Sequence, residues 1–319
     1  MTQKKFTPNQ PASPHSSPKS SVSTALTDAI DQYSRSAHHS ASRIISDYST
    51  SFGRSSRLLE RSMRPGIEDV YALVRIADEI VDGAAEQAGL DVAAQRAVLD
   101  DLESEVFRAI DSGYSTNLVV HAFARTARET GIGRDTIEPF FASMRRDLSP
   151  VDFTQEELDL YIYGSAEVVG VMCLHVFLGP STGGPPPSLV HGARKLGAAF
   201  QKINFLRDLA TDWRELGRSY FPGIDPARLT EAQKITLVDD IDADLAEAAS
   251  EIENLPEGSQ RAVRAAHALF GELSRRVRAT PAAELLTTRV SVPAATKAKI
   301  LLGSRFWGKQ LTRRYGASS

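Results

Sequence analysis

Apolar residues recur at helical spacing along most of the chain. From about Ala25 they fall three and four residues apart, as in amphipathic helices. No stretch has the alternating, β-branched pattern of a strand. Glycine and proline breaks divide the pattern into predicted helices at 25–47, 53–63, 67–84, 92–111, 117–130, 134–147, 155–177, 187–214, 231–254, 259–278 and 293–311. These elements predict an all-α bundle with one central cavity.

The first 23 residues have a different composition from the rest. They are rich in Ser, Pro, Thr, Gln and Lys, which predicts a disordered tail over residues 1–23. The remaining residues 24–319 are long for an ordinary domain but suit one large helical domain. A hydrophobic fraction of 42% and a charged fraction of 24% are typical of a globular protein. The formal net charge of −3 gives no reason to expect a nucleic-acid partner.

Cysteine usage and the two termini bear on the location of the protein. The single cysteine, Cys173, cannot form an internal disulfide, which fits a reducing cytoplasm. The N-terminus has no apolar stretch of the kind found in signal peptides. Residues 297–315 interleave apolar and basic positions, so this segment either packs on the core or contacts an anionic membrane surface. The expected location is the cytoplasm, with peripheral contact at the inner face of the membrane as an addition.

A polar stripe runs along the predicted helix 187–214. At about 100° per residue, one narrow face carries Gln201, Asn204, Asp208 and Asp212. Carboxylates one turn apart repel each other, and burying them without partners costs far more. A divalent cation such as Mg²⁺ would remove that cost, because it takes oxygen ligands. The alternative is a solvated helix that carries two acids.

A second helix repeats this arrangement. One face of the predicted helix 67–84 carries Tyr71, Arg75, Asp78 and Asp82 at positions i, i+4, i+7 and i+11. Apart from Glu79, the other residues of the stretch 70–82 are apolar. Two such faces are what the walls of a metal–diphosphate site require, because Mg²⁺ is usually held by one or two carboxylates together with substrate phosphates.

Together these motifs resemble those of the squalene/phytoene synthase family, the head-to-head trans-isoprenyl diphosphate synthases, and are most similar to phytoene synthases of actinobacterial type. Residues 75–82 resemble the first aspartate-rich motif of the family, and 201–212 with 217–222 resemble the second. Residues 161–173 are similar to the helix that lines its prenyl tunnel. The resemblance covers roughly residues 40–305. It implies an isoprenoid synthase-type helical bundle with a central prenyl cavity.

The resemblance also implies an activity. Two geranylgeranyl diphosphates would condense head to head, through a cyclopropyl (prephytoene) diphosphate, to phytoene and diphosphate. This is the first committed step of carotenoid biosynthesis. Alternatives are a squalene or dehydrosqualene synthase that uses farnesyl diphosphate, and a non-catalytic prenyl-binding or assembly factor of the same fold.

The cofactor and partners follow from the same resemblance. Mg²⁺, replaceable by Mn²⁺, is the expected metal, and NADPH is not expected for phytoene formation. The expected partners are the prenyl diphosphate substrate, an upstream prenyl synthase and a downstream desaturase.

The same resemblance implies which residues bind metal, take part in catalysis and contact substrate. The expected metal ligands are Asp78, Asp82, Asp208 and Asp212. The expected catalytic residues are Tyr71, Arg75, Tyr161, Arg207 and Tyr220. The residues expected to contact substrate are Ser49, Ser51, Phe52, Ser165, Val169, Gln201, Asn204 and Arg289. The arginines would add positive charge at the leaving diphosphate, and the aromatic rings would stabilise a cation.

The segment after the first helix departs from the family pattern. Tyr48 and Thr50 stand where the family usually has His and often Lys in contact with diphosphate. Hydroxyl groups can still donate to phosphate oxygens. The alternative is that Ser49 or Ser51 caps the following helix.

Two further features leave questions for the structure. Thr211 stands where the family usually has Glu, and the spacing from Asp212 to Tyr220 is one residue longer than usual. The small residues Gly164 and Gly170 permit either close helix packing or room for a polyprenyl tail.

Overall fold

The computed structural model describes residues 19–49, 56–149, 153–180, 183–216 and 220–304, without the side chains of 19–27, 211, 212 and 214–216. Within these ranges no strand occurs. The described residues form ten helices of ten or more residues, which are α1 Lys19–Tyr48, α2 Arg64–Val81, α3 Val92–Ser112, α4 Leu118–Thr130, α5 Arg134–Asp147, α6 Gln155–Leu178, α7 Pro187–Leu216, α8 Glu231–Glu251, α9 Glu257–Ala279 and α10 Ala294–Gly303. Shorter helical turns are Ala84–Gln87, Pro226–Arg228, Ile252–Asn254 and Ala282–Leu285. The all-α prediction is confirmed.

Helix ends follow local signals in most places. Gly113 and Gly131 end α3 and α4 with φ of 80° each, a left-handed conformation that glycine adopts without steric cost. Pro65 lies in the first turn of α2 rather than before it, because the first turn needs no backbone donor at that position. The predicted helix 53–63 is wrong for residues 57–63, which form turns.

The N-terminal and C-terminal predictions fall largely beyond the described residues. Helix α1 begins at Lys19, earlier than predicted, and residues 1–18 of the proposed tail lie outside the description. Residues 305–319, which include most of the basic amphipathic segment, also lie outside it.

Helix α6 contains a π-helical turn that its sequence pattern does not predict. The α-helical parts Gln155–Ile162 and Val168–Leu178 flank the π-helical segment Tyr163–Glu167. A Cβ at Gly164 would lie only 2.2 Å from the carbonyl oxygen of Pro139. Glycine therefore allows this turn to contact α5 directly, and single π turns are frequent at functional sites.

Helix α6 is also the one helix of the described residues that is long and apolar enough to cross a membrane by length and composition. Its most apolar window has a mean hydropathy of 1.5 and is 44% buried within the protein. A core helix of a bundle has the same properties, and α6 packs against α5 and α7.

Two hydrophobic clusters form the interior. The first joins α1 to α6 and includes the fully buried rings of Phe123, Phe140 and Phe141. The second joins the start of α6 to α7, α8 and α9, around Ile203 and Leu206. Helix α2 belongs to the first cluster and α7 to the second, so the two Asp-bearing helices come from different halves of the core.

Candidate functional site

A polar cavity of about 800 Å³ lies between α2 and α7. Its lining includes most of the residues that the sequence nominates. They are Ser49, Tyr71, Arg75, Asp78, Asp82, Tyr161, Gln201, Asn204, Arg207, Asp208, Tyr220 and Arg289. The two Asp-bearing faces therefore line the same cavity, although they are 119 or more residues apart in the sequence.

The α2 wall is organised by one arginine. Arg75 donates to Asp78 Oδ2 at 2.9 Å and pairs with Glu79, one turn further along the helix. The second oxygen of Glu79 accepts the backbone N–H of Ala84 at 3.0 Å. Asp82 ends the helix as its C-cap residue. The end of α2 is thus tied down where both carboxylates enter the cavity.

Tyr48 and Tyr71 complete this wall. The guanidinium of Arg75 lies 4.4 Å from the centre of the Tyr48 ring, a cation–π contact. Burial raises the pKa of Tyr71, and a hydrogen bond with Ser49 and the charge of Arg75 work against that rise. Tyr48, at the position where the resemblance leads to the expectation of His, therefore contacts the cation of Arg75 and carries none of its own.

The surroundings of Asp78 raise the pKa of its carboxyl group. Its side chain is 45% exposed, and the exposed part faces the polar cavity rather than the outer surface. Burial raises its pKa above the ordinary value, the charge of Arg75 lowers it, and Asp82 and Glu79 raise it further. An added cation would relieve the repulsion among these carboxylates.

The α7 wall has the opposite electrostatic character. Asp208 Oδ1 accepts from Arg207 Nε at 3.0 Å and from Arg289 Nε at 2.7 Å. Burial acts to raise the pKa of Asp208, but the hydrogen bonds and charges of Arg207 and Arg289 outweigh it, and the pKa is lowered. Arg289 comes from the segment before α10, 81 residues away in sequence. Arg207 pairs directly with Asp208, the next residue in the sequence.

The donor set fits Mg²⁺ in the manner that the sequence suggests. The buried amide oxygen of Asn204, one turn before Asp208, has no hydrogen-bond partner among the described residues. Within those residues, no three His, Cys, Asp or Glu side chains lie close enough to hold a metal by themselves. Each wall offers hard oxygen donors, but too few to fill the coordination shell of a metal ion. Such a site suits an ion that takes its other ligands from diphosphate.

An aromatic layer forms another part of the cavity wall. Tyr220 stacks on Phe205 with ring centres 4.0 Å apart, and both rings lie 6.1 Å from Tyr161. The Tyr161 hydroxyl donates to Asp147 Oδ1 at 2.7 Å. The longer spacing before Tyr220 therefore still brings its ring to the cavity. Stacked rings present faces that attract a cation.

Ser165 and Val169 line a different cavity. This second cavity has a volume of about 250 Å³ and is bounded mainly by apolar side chains of α6, α7 and α9. Gly170 lies against the backbone of α7, where a Cβ would be 2.5 Å from the oxygen of Ala193. Gly164 and Gly170 permit close helix packing, and Ser165 and Val169 line the apolar cavity; room for a polyprenyl tail stays a prediction.

Several nominated residues are not described. Ser51 and Phe52 lie outside the described ranges, as does Thr50, and the helical backbone at Asp212 is described without its side chain. The capping alternative for Ser51 lies outside the described residues for the same reason.

The structure also adds residues that the sequence analysis did not nominate. Asp147, Phe205 and Lys297 line the polar cavity, and Glu79 fixes Arg75. The spacing of four between Arg75 and Glu79 is a readable helix ion pair. Asp147 and Lys297 carry no such signal, because each reaches the cavity only through the tertiary fold.

The site thus lies in an all-α bundle whose carboxylate- and arginine-bearing helices both line a polar cavity, with an apolar cavity beside it. The squalene/phytoene synthase family model matches residues 45–296. The chain belongs to this family of prenyltransferases, the head-to-head prenyl synthases.

The chain is similar to several curated members. It is 28% identical over 203 residues to a 4,4'-diapophytoene synthase of Staphylococcus haemolyticus, covering 63% of this chain and 66% of that one. It is 30% identical over 179 residues to a phytoene synthase of Mycobacterium tuberculosis, covering 54% and 53%. It is 29% identical over 198 residues to phytoene synthase 3 of Zea mays, covering 60% and 44%. The chain thus matches 44% to 66% of the length of each of these relatives.

Solved structures agree with the fold. A dehydrosqualene synthase in complex with ligand has a TM-score of 0.72 at 22% identity, covering 86% of this chain and 97% of that one. A squalene synthase from Alicyclobacillus acidocaldarius has a TM-score of 0.67 at 21% identity, covering 77% and 94%. The isoprenoid-synthase helical fold is therefore confirmed.

Proposed function

We propose that this protein is a phytoene synthase, which condenses two geranylgeranyl diphosphates head to head to phytoene. The observation that carries the proposal is the polar cavity, in which Asp78 and Asp82 face Asp208 and two arginines beside an apolar cavity. Relatives named phytoene synthase in Mycobacterium tuberculosis and Zea mays support the C20 substrate. We also propose that the cavity residues have the roles that the resemblance implies.

In this proposal the diphosphate binds between the two walls. Asp78, Asp82 and Asp208, with Asp212 as the fourth, would hold Mg²⁺. When bound, the ion supplies Lewis-acid stabilisation of the negative charge on the departing diphosphate. Arg75, Arg207 and Arg289 add fixed positive charge around the same oxygens and orient the carboxylates. Gln201 and Asn204 donate hydrogen bonds to the diphosphate.

The aromatic layer handles the hydrocarbon part of the reaction. Loss of diphosphate from the donor leaves an allylic cation, and the C2=C3 bond of the acceptor attacks it to give a tertiary cation. Loss of a proton from C1 of the donor then closes the ring of the cyclopropylcarbinyl diphosphate. A second ionisation, rearrangement and proton loss give the product. The rings of Tyr161, Phe205 and Tyr220 offer their faces to these cations and exclude water.

The test is incubation of the purified protein with Mg²⁺ and either C20 or C15 prenyl diphosphate, without NADPH, followed by lipid chromatography. Phytoene from the C20 substrate is expected. Asp78→Ala and Asp208→Ala should each lower the rate by at least ~100-fold, since each removes preorganised charge at the leaving group. Asp101→Ala, at an exposed position of α3, is the matched control and should keep the rate.

The second candidate is a dehydrosqualene synthase that uses farnesyl diphosphate. The similarity to the staphylococcal 4,4'-diapophytoene synthase favours it. Dehydrosqualene from the C15 substrate alone would establish it over the C20 proposal. No hydrocarbon from either substrate, with or without NADPH, would overturn both and favour a non-catalytic prenyl-binding protein.

A further inference from the structure

The polar and apolar cavities adjoin at α9. Ala266 of this helix lines both of them. One turn further along α9, Phe270 lines the polar cavity. On the facing helix α7, Phe200 lines the apolar cavity. A small and a large residue of α9 therefore stand side by side where the two spaces meet.

The two phenylalanine rings form part of the partition. Their centres are 3.6 Å apart, and their planes are inclined by 14°. The ring of Phe270 borders the polar cavity, the ring of Phe200 borders the apolar cavity, and the two rings stack on each other. A hydrocarbon chain that extends from the carboxylates toward the apolar cavity along this boundary meets the ring pair and the adjoining Ala266.

The wall of the apolar cavity suits an alkyl or prenyl chain. Val169, Leu196 and Phe177 contribute apolar surface. Cys173 contributes a neutral thiol, because burial raises its pKa to about 12. Transfer of an isoprenoid tail from water into such a space is favourable in proportion to the apolar area that it buries.

The helices around this cavity have little freedom to separate or approach. A Cβ at Gly197 of α7 would lie 2.5 Å from the oxygen of Ala166, so the α6 and α7 backbones are already in contact. The equivalent distance from Gly170 to Ala193 is also 2.5 Å. Since the backbones are closely packed, the size and rotation of side chains are one way to change the opening. The ring pair is the bulky side-chain element at that opening.

We propose that the stacked pair of Phe200 and Phe270 sets the length of hydrocarbon chain that this enzyme accepts, by controlling passage from the polar cavity into the apolar one. The inference rests on the proposed function and deepens it, because it names the residues that choose between C15 and C20 chains. The two rings act as specificity-determining residues and take no part in the diphosphate chemistry.

The experiment is a competition between C15 and C20 prenyl diphosphates, from which the ratio of kcat/KM for the two substrates is obtained. Phe200→Ala and Phe270→Ala should each shift this ratio toward C20 by about tenfold or more, since room for a single methylene in an apolar pocket already changes discrimination by about 10- to 200-fold. Phe270→Leu, which removes the stack but preserves bulk, should give a smaller shift and serves if an alanine variant fails to fold.

Phe177→Ala is the matched control. Phe177 lines the same apolar cavity but packs against the first hydrophobic cluster, whereas the ring pair packs against the second. Because Phe177 packs against the other cluster, its truncation enlarges the apolar cavity without removing a ring of the partition, and its ratio should change clearly less than in the ring-pair variants. An equal shift in Phe177→Ala would mean that cavity volume, not passage, sets chain length, and would overturn the proposal. Unchanged ratios in folded Phe200 and Phe270 variants would overturn it as well.

Failure of the proposed function is distinguishable from failure of this inference. If the wild-type protein forms no product from either substrate, the function fails. The ring pair is then tested by calorimetric binding of the unreactive C15 and C20 thiolodiphosphates to the same variants. The ratio of the two dissociation constants should shift in the same direction, and an unchanged ratio would overturn the inference on its own.

Discussion

Asp208 carries two guanidinium partners, an unusual number for a carboxylate that is expected to bind a metal ion. Arg207 is its sequence neighbour, whereas Arg289 reaches it from the segment before α10. By contrast, Asp78 has one arginine and two neighbouring acids. The acids of the α2 wall therefore attract cations, whereas the carboxylate of Asp208 is already neutralised by the protein's own cations. A diphosphate anion would draw Arg289 away from Asp208, because phosphate oxygens are strong partners for guanidinium groups.

In the absence of pyrophosphate, we expect Arg289→Gln to raise the affinity of the protein for Mn²⁺. The reason is that this substitution removes a cation that competes for Asp208. An exposed ion pair contributes about 0.2–1 kcal/mol, so the increase should be up to ~5-fold. Mn²⁺ binding followed by electron paramagnetic resonance would measure it. With pyrophosphate present, the same variant should bind Mn²⁺ more weakly than the wild type.

Arg275→Gln provides the control for that experiment. Arg275 has nearly the same exposure as Arg289 but pairs with Glu272 on the outside of α9. Equal Mn²⁺ affinities of Arg289→Gln and wild type, both measured without pyrophosphate, would contradict the proposed competition.

At the scale of helices, α1 is fastened to α2 and α4 by a buried polar group. His38 Nδ1 lies 2.9 Å from Asp69 Oδ1, and Thr126 donates to the other oxygen of this carboxylate at 2.8 Å. Asp69 is only 5% exposed. The hydrogen bond to Asp69 raises the pKa of His38, against the effects of burial and of Arg125, and Glu68 adds to the rise.

The free energy of unfolding should therefore depend on the charge of His38. Because its pKa is raised in the folded state, the stabilisation is fully present below the unfolded value of about 6.5 and is lost as the pH rises through the folded value. We expect the difference in unfolding free energy between wild type and His38→Gln to shrink from pH 5.5 to pH 9 in urea titrations. A difference that stays constant over this range would contradict the assignment.

The end of α9 is held by a fully buried lysine of α8. Lys234 Nζ donates to the carbonyl oxygens of Arg278 at 3.0 Å and Thr280 at 2.6 Å, and it pairs with Glu231. We expect Lys234→Met to lower the free energy of unfolding by about 2–3 kcal/mol, because buried carbonyl groups lose a charged donor. Urea denaturation measures this loss. Lys299→Met, at an exposed position of α10, should change the value by less than ~0.5 kcal/mol.

At the scale of the whole molecule, the polar cavity lies between the two halves of the core. Ligand that contacts both walls should therefore stabilise the complete fold. We expect Mg²⁺ and pyrophosphate together to raise the unfolding midpoint by a few degrees, since ligand at 100 times its dissociation constant adds about 2.7 kcal/mol. Differential scanning calorimetry would record the shift.

The two walls should both be needed for that shift. Asp78→Asn and Asp208→Asn should each remove most of it, while Asp101→Asn should preserve it. A full shift in both cavity variants would mean that the pair binds elsewhere.

Much of the architecture could be predicted from the sequence because it rests on local signals. The helical period, the end-capping Gly113 and Gly131, and the one-turn spacing of Asp78 and Asp82 are all readable within a few residues. Contacts that depend on tertiary packing could not be read. Arg289 meets Asp208 from 81 residues away, and the π-helical turn at Gly164 depends on contact with α5.

The same difference between local signals and tertiary contacts decides which cavity residues the sequence predicts. Both aspartate faces were visible because each lies on one helix. The stacking of Phe200 on Phe270 joins two helices and leaves no periodic trace in either. Asp147 meets the Tyr161 hydroxyl only because α5 and α6 are neighbours in the fold.

The glycine contacts between α6 and α7 have a consequence for how this protein can diverge. Any larger side chain at Gly170 or Gly197 would push two backbones apart, so change at these sites is strongly disfavoured. A phenylalanine codon, in contrast, becomes a leucine, valine, serine or cysteine codon by one nucleotide substitution. With the ring pair of Phe200 and Phe270 as the boundary, a lineage could acquire a new hydrocarbon product in one mutational step while inheriting its scaffold intact.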